Sequence, residues 1–296
     1  MAFMRLSPTP TMPPFVDGAG NDHAPAGATA RIVSLVPSLT ELLFALGLGV
    51  QVVGRTTYCV HPAEGVCRVP TVGGTKTIDL DKVSRLRPSH LLVNVDETPK
   101  AIADAVAQLG IDVVVTHPIH VDDNIDLYHL IGGLFGRPAA AAALSERYRA
   151  ARATIDAAAR RWPDRHVLYV IWKKPWMTVG PNTYIAHMLR LARMNATVTG
   201  GDEPVRYPTV DLDERLLDRL DLVLFATEPF PFRERHVAEF RQAFPGHEQK
   251  ARLINGEMLS WYGSRAIDGL AYLADFTRRL AGTASTPMDE RGASGS

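Results

Sequence analysis

Four large aromatic side chains and one arginine stand in the segments between apolar runs of this chain. They are Tyr58 in RTTYCVHP, Trp176 in KKPWMTVG, Tyr207 in VRYPTV, and Trp261 with Arg265 in MLSWYGSR. Flat aromatic faces give a large contact area at little entropic cost, and an arginine can meet a carboxylate, amide or phosphate. Each aromatic position alone is typical of a core side chain, and Arg265 alone is equally typical of a solvated surface. As a set on equivalent loops, they favour a site for a broad apolar ligand.

Two stretches far apart in the chain read almost alike. They are TIDLDKVSRLRPSHLLV at 77–93 and TVDLDERLLDRLDLVLF at 209–225. Each starts with Asp-Leu-Asp and continues through an apolar-spaced helix into a Leu/Val-rich strand. Asp79 and Asp211 are suitable N-cap residues, and a second acid in the first turn, Asp81 or Asp213, favours the helix dipole. The pattern predicts a capped helix at the same place in two repeated units.

Several metal-ligating residue types fall on or near loops of the first half. They are His61, His117, His120, Asp96 and Glu97. The spacing HPIH is not a recognised metal-ligand pattern, and the intervening proline restricts the geometry of the two histidines. We therefore expect no metal bound directly by the protein. A histidine that touches a ligand already carrying its own metal fits the pattern better.

Motifs of catalysis are incomplete in this sequence. TVGGTKT lacks the full spacing of a phosphate-binding P-loop, and RIVSLVPSLTE lacks the glycine fingerprint of dinucleotide-binding folds. The sequence contains no G-x-S-x-G elbow and no His-Glu-x-x-His pair. We therefore predict no catalytic residue and no covalently bound cofactor, and we expect a binding protein rather than an enzyme.

Composition narrows the class of partner. The 32 Lys and Arg residues balance 32 Asp and Glu residues, so no global field favours nucleic acid or an anionic membrane, and a ligand must be recognised locally. Cys59 and Cys67 lack the Cys-x-x-Cys spacing of a zinc or redox site. We predict ordinary thiols, and a disulfide between them remains an alternative in an oxidising compartment.

The order of elements predicts an α/β fold with a mainly parallel sheet in each of two Rossmann-like lobes. Strand and helix alternate through 31–137, and the same order repeats through 163–281. The Ala-, Arg- and Glu-rich segment 138–162 reads as one long rigid helix that joins the lobes. Residues 1–30 and 282–296 are rich in small residues and proline, which predicts disorder. No signal-peptide core is visible in 1–30, so the sequence as it stands predicts a cytoplasmic protein.

These features together resemble a known family. The opening RIVSLVPSLTELLFALG, the segment TIDLDKVSRLRPSHLLV, the long connecting helix and the closing WYGSR plus helix are similar to the class III substrate-binding proteins of ABC importers. These receptors have a helical backbone and bind cobalamin, siderophores or haem. The resemblance covers about residues 31–281, is more specific in the first lobe, and is nearest to the cobalamin-binding branch.

The resemblance implies a ligand, a partner and a compartment. The ligand cleft is expected between the lobes, with a corrinoid such as cobalamin as the first choice and a ferric siderophore or haem as alternatives. The loops VGGTKT and LVNVDE lack tryptophans that some cobalamin binders carry, which keeps the alternatives open. One carboxylate per lobe, carried over by position to Asp81 and Asp213, is expected to face arginines of a dimeric ABC permease.

The same resemblance implies a monomer that works in the periplasm if the true start of the protein lies upstream. A cytoplasmic protein that handles corrinoids or metallophores on the same fold is the alternative.

Overall fold

The computed structural model describes residues 15–197 and 205–283. The chain forms two compact units. Unit 1 comprises the chain up to Pro118 together with Asn124–Ser145, and unit 2 comprises Ile119–Asp123 together with the chain from Glu146 onwards. The segment that was predicted to connect the lobes is therefore divided between the units.

Unit 1 is built on a parallel sheet in the strand order β4-β3-β5-β6. In chain order its elements are β1 (Phe15–Val16), β2 (Asp22–His23), β3 (Ile32–Ser34), α1 (Pro37–Ala45), β4 (Val52–Arg55), α2 (Ala63–Val66), α3 (Leu80–Leu86), β5 (His90–Asn94), α4 (Lys100–Ala107), β6 (Asp112–Thr116) and α5 (Asp123–Leu134). Strand β5 is buried over its whole length. Its Leu91 and Val93 pack with Val83 of α3 and Val106 of α4, which is why this strand reads as a continuous apolar run.

The N-terminal segment corrects the prediction of disorder for residues 15–30. Strands β1 and β2 pair antiparallel, and the backbone N–H of Gly18 donates to the carbonyl of Val115 on the edge strand β6 at 2.8 Å. The fully buried carboxylate of Asp17 accepts the N–H of Val115 at 2.9 Å. Composition missed this order because the segment does not form its own core but pairs with a free sheet edge. Residues 1–14 lie outside the described residues.

The connecting helix α6 (Pro138–Ala159) is continuous, as predicted, and ends three residues before the predicted boundary at 162. Its buried face includes Leu144, Tyr148 and Ile155. The Tyr148 hydroxyl donates to Asp122 at 2.7 Å. The helix is thereby fixed to the short segment of unit 2 that precedes α5.

Unit 2 repeats the architecture of unit 1. Its elements are β7 (Arg165–Val170), α7 (Tyr184–Leu191), β8 (Met194–Ala196), α8 (Glu214–Asp218), β9 (Leu222–Ala226), α9 (Glu234–Ala243), β10 (Ala251–Ile254), α10 (Gly256–Ser260) and α11 (Arg265–Thr283). All pairs in its sheet are parallel, in the order β10-β9-β7-β8. When the strands of each sheet are counted in chain order, both sheets have the order second, first, third, fourth. The predicted repeat and the two-lobe α/β class are therefore confirmed.

One boundary in unit 2 is set by a left-handed residue and another differs from the predicted one. The residues Met194–Ala196 form the short strand β8 directly after Arg193, whose positive φ of 59° follows the end of α7. At the other end, α11 continues through Thr283, so the segment predicted to be disordered from 282 begins inside a helix. Residues 198–204 and 284–296 lie outside the described residues.

The two Asp-Leu-Asp segments fold differently. Asp79 caps α3 as predicted, since its side chain accepts the N–H of Lys82 at 2.9 Å. The predicted cap at Asp211 is wrong, because Asp213 caps α8 by accepting the N–H of Leu216 at 2.8 Å. Leu212 explains the shift of two residues: it packs against the core of unit 2 and keeps the chain extended, whereas its counterpart Leu80 is exposed.

Across the described part of the chain, no helix combines the length and the hydropathy that crossing a membrane requires.

Candidate ligand-binding site

The carboxyl ends of the parallel strands bring the candidate residues to one edge of each sheet, the usual position of ligand sites in open α/β folds. In unit 1, Tyr58 follows β4, Asp96 follows β5 and His117 follows β6. In unit 2, Trp172 follows β7 and Glu228 follows β9. Each unit is described separately below.

Tyr58 is the exposed aromatic residue of the unit 1 edge, with 60% of its surface accessible. Arg55 fixes the loop that carries Tyr58. Its guanidinium donates to the carbonyls of Thr56 and Cys59 at 3.1 Å and of Val66 at 2.9 Å. The next residue, Cys59, is buried. A fixed backbone therefore displays a solvent-facing aromatic ring, which suits contact with a flat ligand.

The two cysteines are free thiols, as predicted, and they occupy different environments. Burial raises the pKa of the Cys59 thiol, although hydrogen bonds with Thr40 and Thr56, each at 3.1 Å, act in the opposite direction. Cys67 is exposed. Cys59 therefore serves as a packing residue beneath Tyr58.

The histidines predicted as possible metal contacts lie in separate places. His117 Nε2 is 3.9 Å from Asp96 Oδ1 in unit 1. His120 belongs to unit 2, where its ring lies 4.1 Å from that of His187 on α7. In the part of the chain that the structure describes, no three His, Cys, Asp or Glu side chains form a group that could hold a metal ion.

Trp261 and Arg265 are brought together in unit 2. The guanidinium of Arg265 lies over the indole of Trp261, 4.9 Å from the ring centroid, and it also lies 3.5 Å from a carboxylate oxygen of Glu257. Trp261 is only 8% exposed, and its indole N–H donates to Glu228 Oε1 at 2.6 Å. Arg265 therefore stacks on the tryptophan, and both side chains are largely buried within unit 2.

Trp176, a predicted ligand contact, is partly buried and packs against the core of unit 2. Its indole stacks on Phe232 at 6.3 Å with an interplanar angle of 10°, and it meets Phe225 edge-on at 6.2 Å. The exposed tryptophan of this segment is Trp172, which is 41% accessible and touches Phe230 edge-on at 5.6 Å. The two tryptophans belong to one hairpin, in which Trp172 bridges to Met177.

Sequence reasoning missed Trp172 because this residue ends the apolar run HVLYVIW and reads as part of the strand. The signal that could have found it is the pair KK directly after it, which marks the end of a buried strand.

Tyr207 is half-buried in a segment that runs beside 177–180. Its neighbours on the chain hold this segment in place, since the carbonyls of Arg206 and Pro208 accept the N–H groups of Gly180 and Thr178 at 2.7 and 3.0 Å. Gly180 is required there, because a Cβ atom would lie 2.3 Å from the carbonyl of Val205. Tyr207 is thus attached to the same hairpin as Trp172.

Glu228 is a second residue that the sequence reading missed. Burial raises its pKa, although hydrogen bonds from Ser260 at 3.0 Å and from Trp261 lower it. The fully buried hydroxyl of Tyr169 is close enough for Glu228 to raise its pKa further, beyond the effect of burial, and it has no hydrogen-bond partner among the described residues. Glu228 fixes the orientation of Trp261, because its carboxylate accepts the indole N–H.

Comparison with known proteins assigns this arrangement to a family. The family model described as "Periplasmic binding protein" matches residues 32–250. The chain belongs to the periplasmic binding protein family. This family consists of binding proteins.

The vitamin B12-binding proteins of Yersinia pestis (strain Pestoides F) and Yersinia pseudotuberculosis (strain IP 31758) are each 30% identical to this family member over 145 residues. The match covers 49% of this chain and 51% of each relative, so the chain spans about half the length of the curated relatives it matches.

Two solved structures of periplasmic receptors share the fold. The periplasmic vitamin B12 binding protein BtuF of Vibrio cholerae superposes with a TM-score of 0.74 at 18% identity, over 86% of this chain and 99% of that one. The periplasmic haem-binding protein RhuT of Roseiflexus sp. RS-1 gives 0.72 at 21% identity, over 87% and 100%. These likenesses agree with the predicted fold of two α/β lobes.

Proposed function

We propose that this chain is the substrate-binding protein of an ABC-type importer and that it binds a corrinoid such as cobalamin. The observation that carries this proposal is the display of aromatic rings at the carboxyl-end edges of both sheets, Tyr58 in unit 1 and Trp172 in unit 2. Exposed large apolar side chains at such an edge mark a binding surface. Family membership and the vitamin B12-binding relatives support the choice of ligand.

A corrin ring fits these side chains better than a flexible chelator does. A rigid ring system can lie against flat aromatic faces and loses little conformational freedom on binding, whereas a flexible siderophore loses more and relies more on charged groups. The one arginine predicted to contact a ligand, Arg265, is committed to Trp261 and Glu257. The proposal therefore rests on aromatic contact rather than on charge.

Haem or a ferric siderophore is the alternative ligand. His117 favours it, since this histidine lies at the carboxyl-end edge of unit 1 and is 23% exposed. An imidazole there could reach a ligand that carries its own iron. No further metal site is needed for this alternative.

A panel of ligands separates these proposals. Cyanocobalamin, its lower-ligand-free precursor cobinamide, haemin and ferrichrome all absorb visible light, so each is titrated into the protein and followed by its spectral shift. A shift with either corrinoid, at a concentration where haemin and ferrichrome give none, supports the proposal. Binding of ferrichrome or haemin without any corrinoid response selects the alternative.

We also propose that the chain presents its ligand to a dimeric ABC permease through Asp81 and Asp213. Both carboxylates are exposed, and both stand at the start of the corresponding helix in the two units, Asp213 as the cap and Asp81 within the first turn. Arginines of a permease can bind such carboxylates in a bidentate manner.

The cap at Asp213 decides how the docking proposal is tested. Asparagine caps a helix as well as aspartate does, so Asp81→Asn and Asp213→Asn remove the charges and keep both helices. The double variant should bind the cognate permease more weakly while retaining its ligand affinity. Asp79→Asn is the matched control, since it neutralises the helix cap two residues before Asp81. Equal permease binding by wild type, by the double variant and by Asp79→Asn would contradict docking.

The compartment follows from the same proposal. A component of an importer captures its ligand outside the cytoplasmic membrane, whereas a cytoplasmic protein that handles corrinoids or metallophores on this fold would bind the same ligands inside the cell. Fractionation of the host cells, with detection of the native protein, distinguishes the two.

A further inference from the structure

A pocket of about 660 Å³ opens in unit 1 on the side of the sheet that α4 covers. It lies between α4 and the N-terminal segment, beside the edge strand β6. Its apolar lining includes Val93, Ala103, Ala107, Ile111, Val113 and Val115. Helix α4 presents alanines where larger side chains would close the gap, so the apolar face of β6 is left accessible. The volume falls within the range of small-molecule sites, which is about 300–1,000 Å³.

One polar side chain in the lining, that of Thr98, lacks the hydrogen-bond partner that a buried group normally has among the described residues. Thr98 is 6% exposed, and its Oγ1 makes no hydrogen bond within the described residues. Asn94 is 3% exposed and uses its side-chain carbonyl to accept the N–H of Asp96 at 2.8 Å. A buried polar group without a partner is costly, and a hydrogen-bonding group of a bound molecule removes that cost.

Charge around the pocket is unbalanced in favour of the carboxylates. Lys100 is paired with Asp104, at 2.6 and 2.7 Å, and His23 lies 2.9 Å from Asp112. Asp22 lines the rim of the pocket and has no ion-pair partner in the described part of the chain. Behind it, the buried carboxylate of Asp17 shares the same His23. Such a rim attracts a cation and disfavours an anion.

We propose that this pocket is a second small-molecule site, which binds an amphiphilic organic amine. The apolar body of the amine lies on Val93, Val113 and Val115, and its ammonium group meets the carboxylates of Asp22 and Asp112. This site is separate from the carboxyl-end aromatic residues Tyr58 and Trp172, and it does not depend on the proposed function. Residues 19–23 form one wall, so a bound amine also holds the N-terminal segment against the sheet.

Three indoles with the same ring and a two-carbon spacer serve as probes on the full chain. Tryptamine carries the cation, tryptophol replaces it with a neutral hydroxyl, and indole-3-propionate replaces it with an anion. Saturation-transfer NMR measures the affinity of each, and hydrogen exchange locates the site. We expect tryptamine to bind at least fivefold more tightly than tryptophol, with indole-3-propionate the weakest. Exchange should slow in residues 15–23 and 100–107.

Two variants test the assignment from opposite directions. Ala103→Leu fills the pocket and should abolish tryptamine binding. Asp22→Asn removes the rim charge at an exposed position and should weaken tryptamine about threefold to fivefold, with no effect on tryptophol. Asp126→Asn, at an exposed position of α5 outside the pocket, is the control and should leave both affinities unchanged.

Several results would overturn the proposal. One is equal affinity for tryptamine, tryptophol and indole-3-propionate, and another is an absence of binding at millimolar concentrations. Exchange protection at residues outside the pocket would do the same. If Ala103→Leu unfolds the protein, the tryptamine affinities of Asp22→Asn and Asp126→Asn still test the proposal, and equal affinities would overturn it.

Discussion

The two units share one strand order but lead from the first strand to the first helix in different ways. In unit 1, only Leu35 and Val36 separate β3 from α1. In unit 2, residues 171–183 separate β7 from α7 and form the hairpin that carries Trp172 and Trp176. The repeat maintains the sheet, whereas Trp172 stands in a segment where the repeat fails.

The largest expected effect concerns the two tryptophans of that hairpin. Trp176→Ala should lower the free energy of unfolding by about 3 kcal/mol, because the indole packs on Phe225 and Phe232 and its removal leaves a cavity. Trp172→Ala, the matched variant at the exposed position, should cost less than about 1 kcal/mol. Urea denaturation of both variants measures the difference. Equal losses of unfolding free energy in the two variants would show that Trp176 packs no more tightly than Trp172.

The next effect concerns the ordered N-terminal segment, a feature of unit 1. Burial lowers the pKa of His23, but hydrogen bonds to Asp112 and Asp17 outweigh it and raise the pKa above its usual value of about 6.5. The nearby His90 lies 3.6 Å from Asp112. His23→Gln should lower the free energy of unfolding by about 2 kcal/mol at pH 6.

The pH dependence of that loss has a defined sign. Because the pKa is raised in the folded state, the stabilisation by His23 is fully present below pH 6.5 and is lost as the pH rises through the folded-state pKa. The difference between wild type and His23→Gln should therefore shrink on going from pH 6 to pH 9. A difference that grows with pH would show that His23 is neutral in the fold.

A smaller effect tests the shift between the two helix caps. Asp79→Ala and Asp213→Ala should each cost about 1 kcal/mol, because each removes the acceptor for a backbone N–H at a helix start. Asp81→Ala and Asp211→Ala should cost much less. Thermal or urea unfolding of the four variants gives the answer. A loss at Asp211 instead of Asp213 would restore the symmetric pattern that the sequence predicted.

The smallest effect is a gain. Burial raises the pKa of Glu228, so its stabilising contribution is present below about pH 4.3 and is lost as the pH rises through the folded-state pKa. Glu228→Gln keeps a side-chain carbonyl for Trp261 and removes the buried charge. It should raise the free energy of unfolding by up to about 1 kcal/mol at pH 8 and have no effect near pH 4. A loss of stability at pH 8 would contradict this account of the cluster.

Sequence reasoning predicted features that depend on local pattern. The strand at His90–Asn94, the cap at Asp79 and the continuous helix α6 follow from apolar runs, capping chemistry and helix propensity. It failed where a distant contact decides the structure. Asp17 and Gly18 are ordered by the edge of β6, and Leu212 delays α8 by reaching the core of unit 2.

The candidate site was predicted less well for the same reason. Aromatic residue type and loop position selected Tyr58, which lies at an exposed position in the structure, but they could not separate Trp172 from Trp176. Which tryptophan packs against the core depends on Phe225 and Phe232, residues about fifty positions away in the sequence. Glu228 escaped notice because its role depends on Trp261, which only the fold brings within 2.6 Å.

The central claim is that exposed aromatic residues at the carboxyl-end edges bind a corrinoid. Titration calorimetry with cobinamide, on wild type, Trp172→Ala and the conservative core variant Trp176→Phe, tests it most directly. We predict saturable binding to wild type, a loss of about 2 kcal/mol of affinity in Trp172→Ala, as expected for an aromatic anchor, and little change in Trp176→Phe. No heat with cobinamide or cyanocobalamin, alongside binding of a ferric siderophore to the same preparation, would contradict the claim.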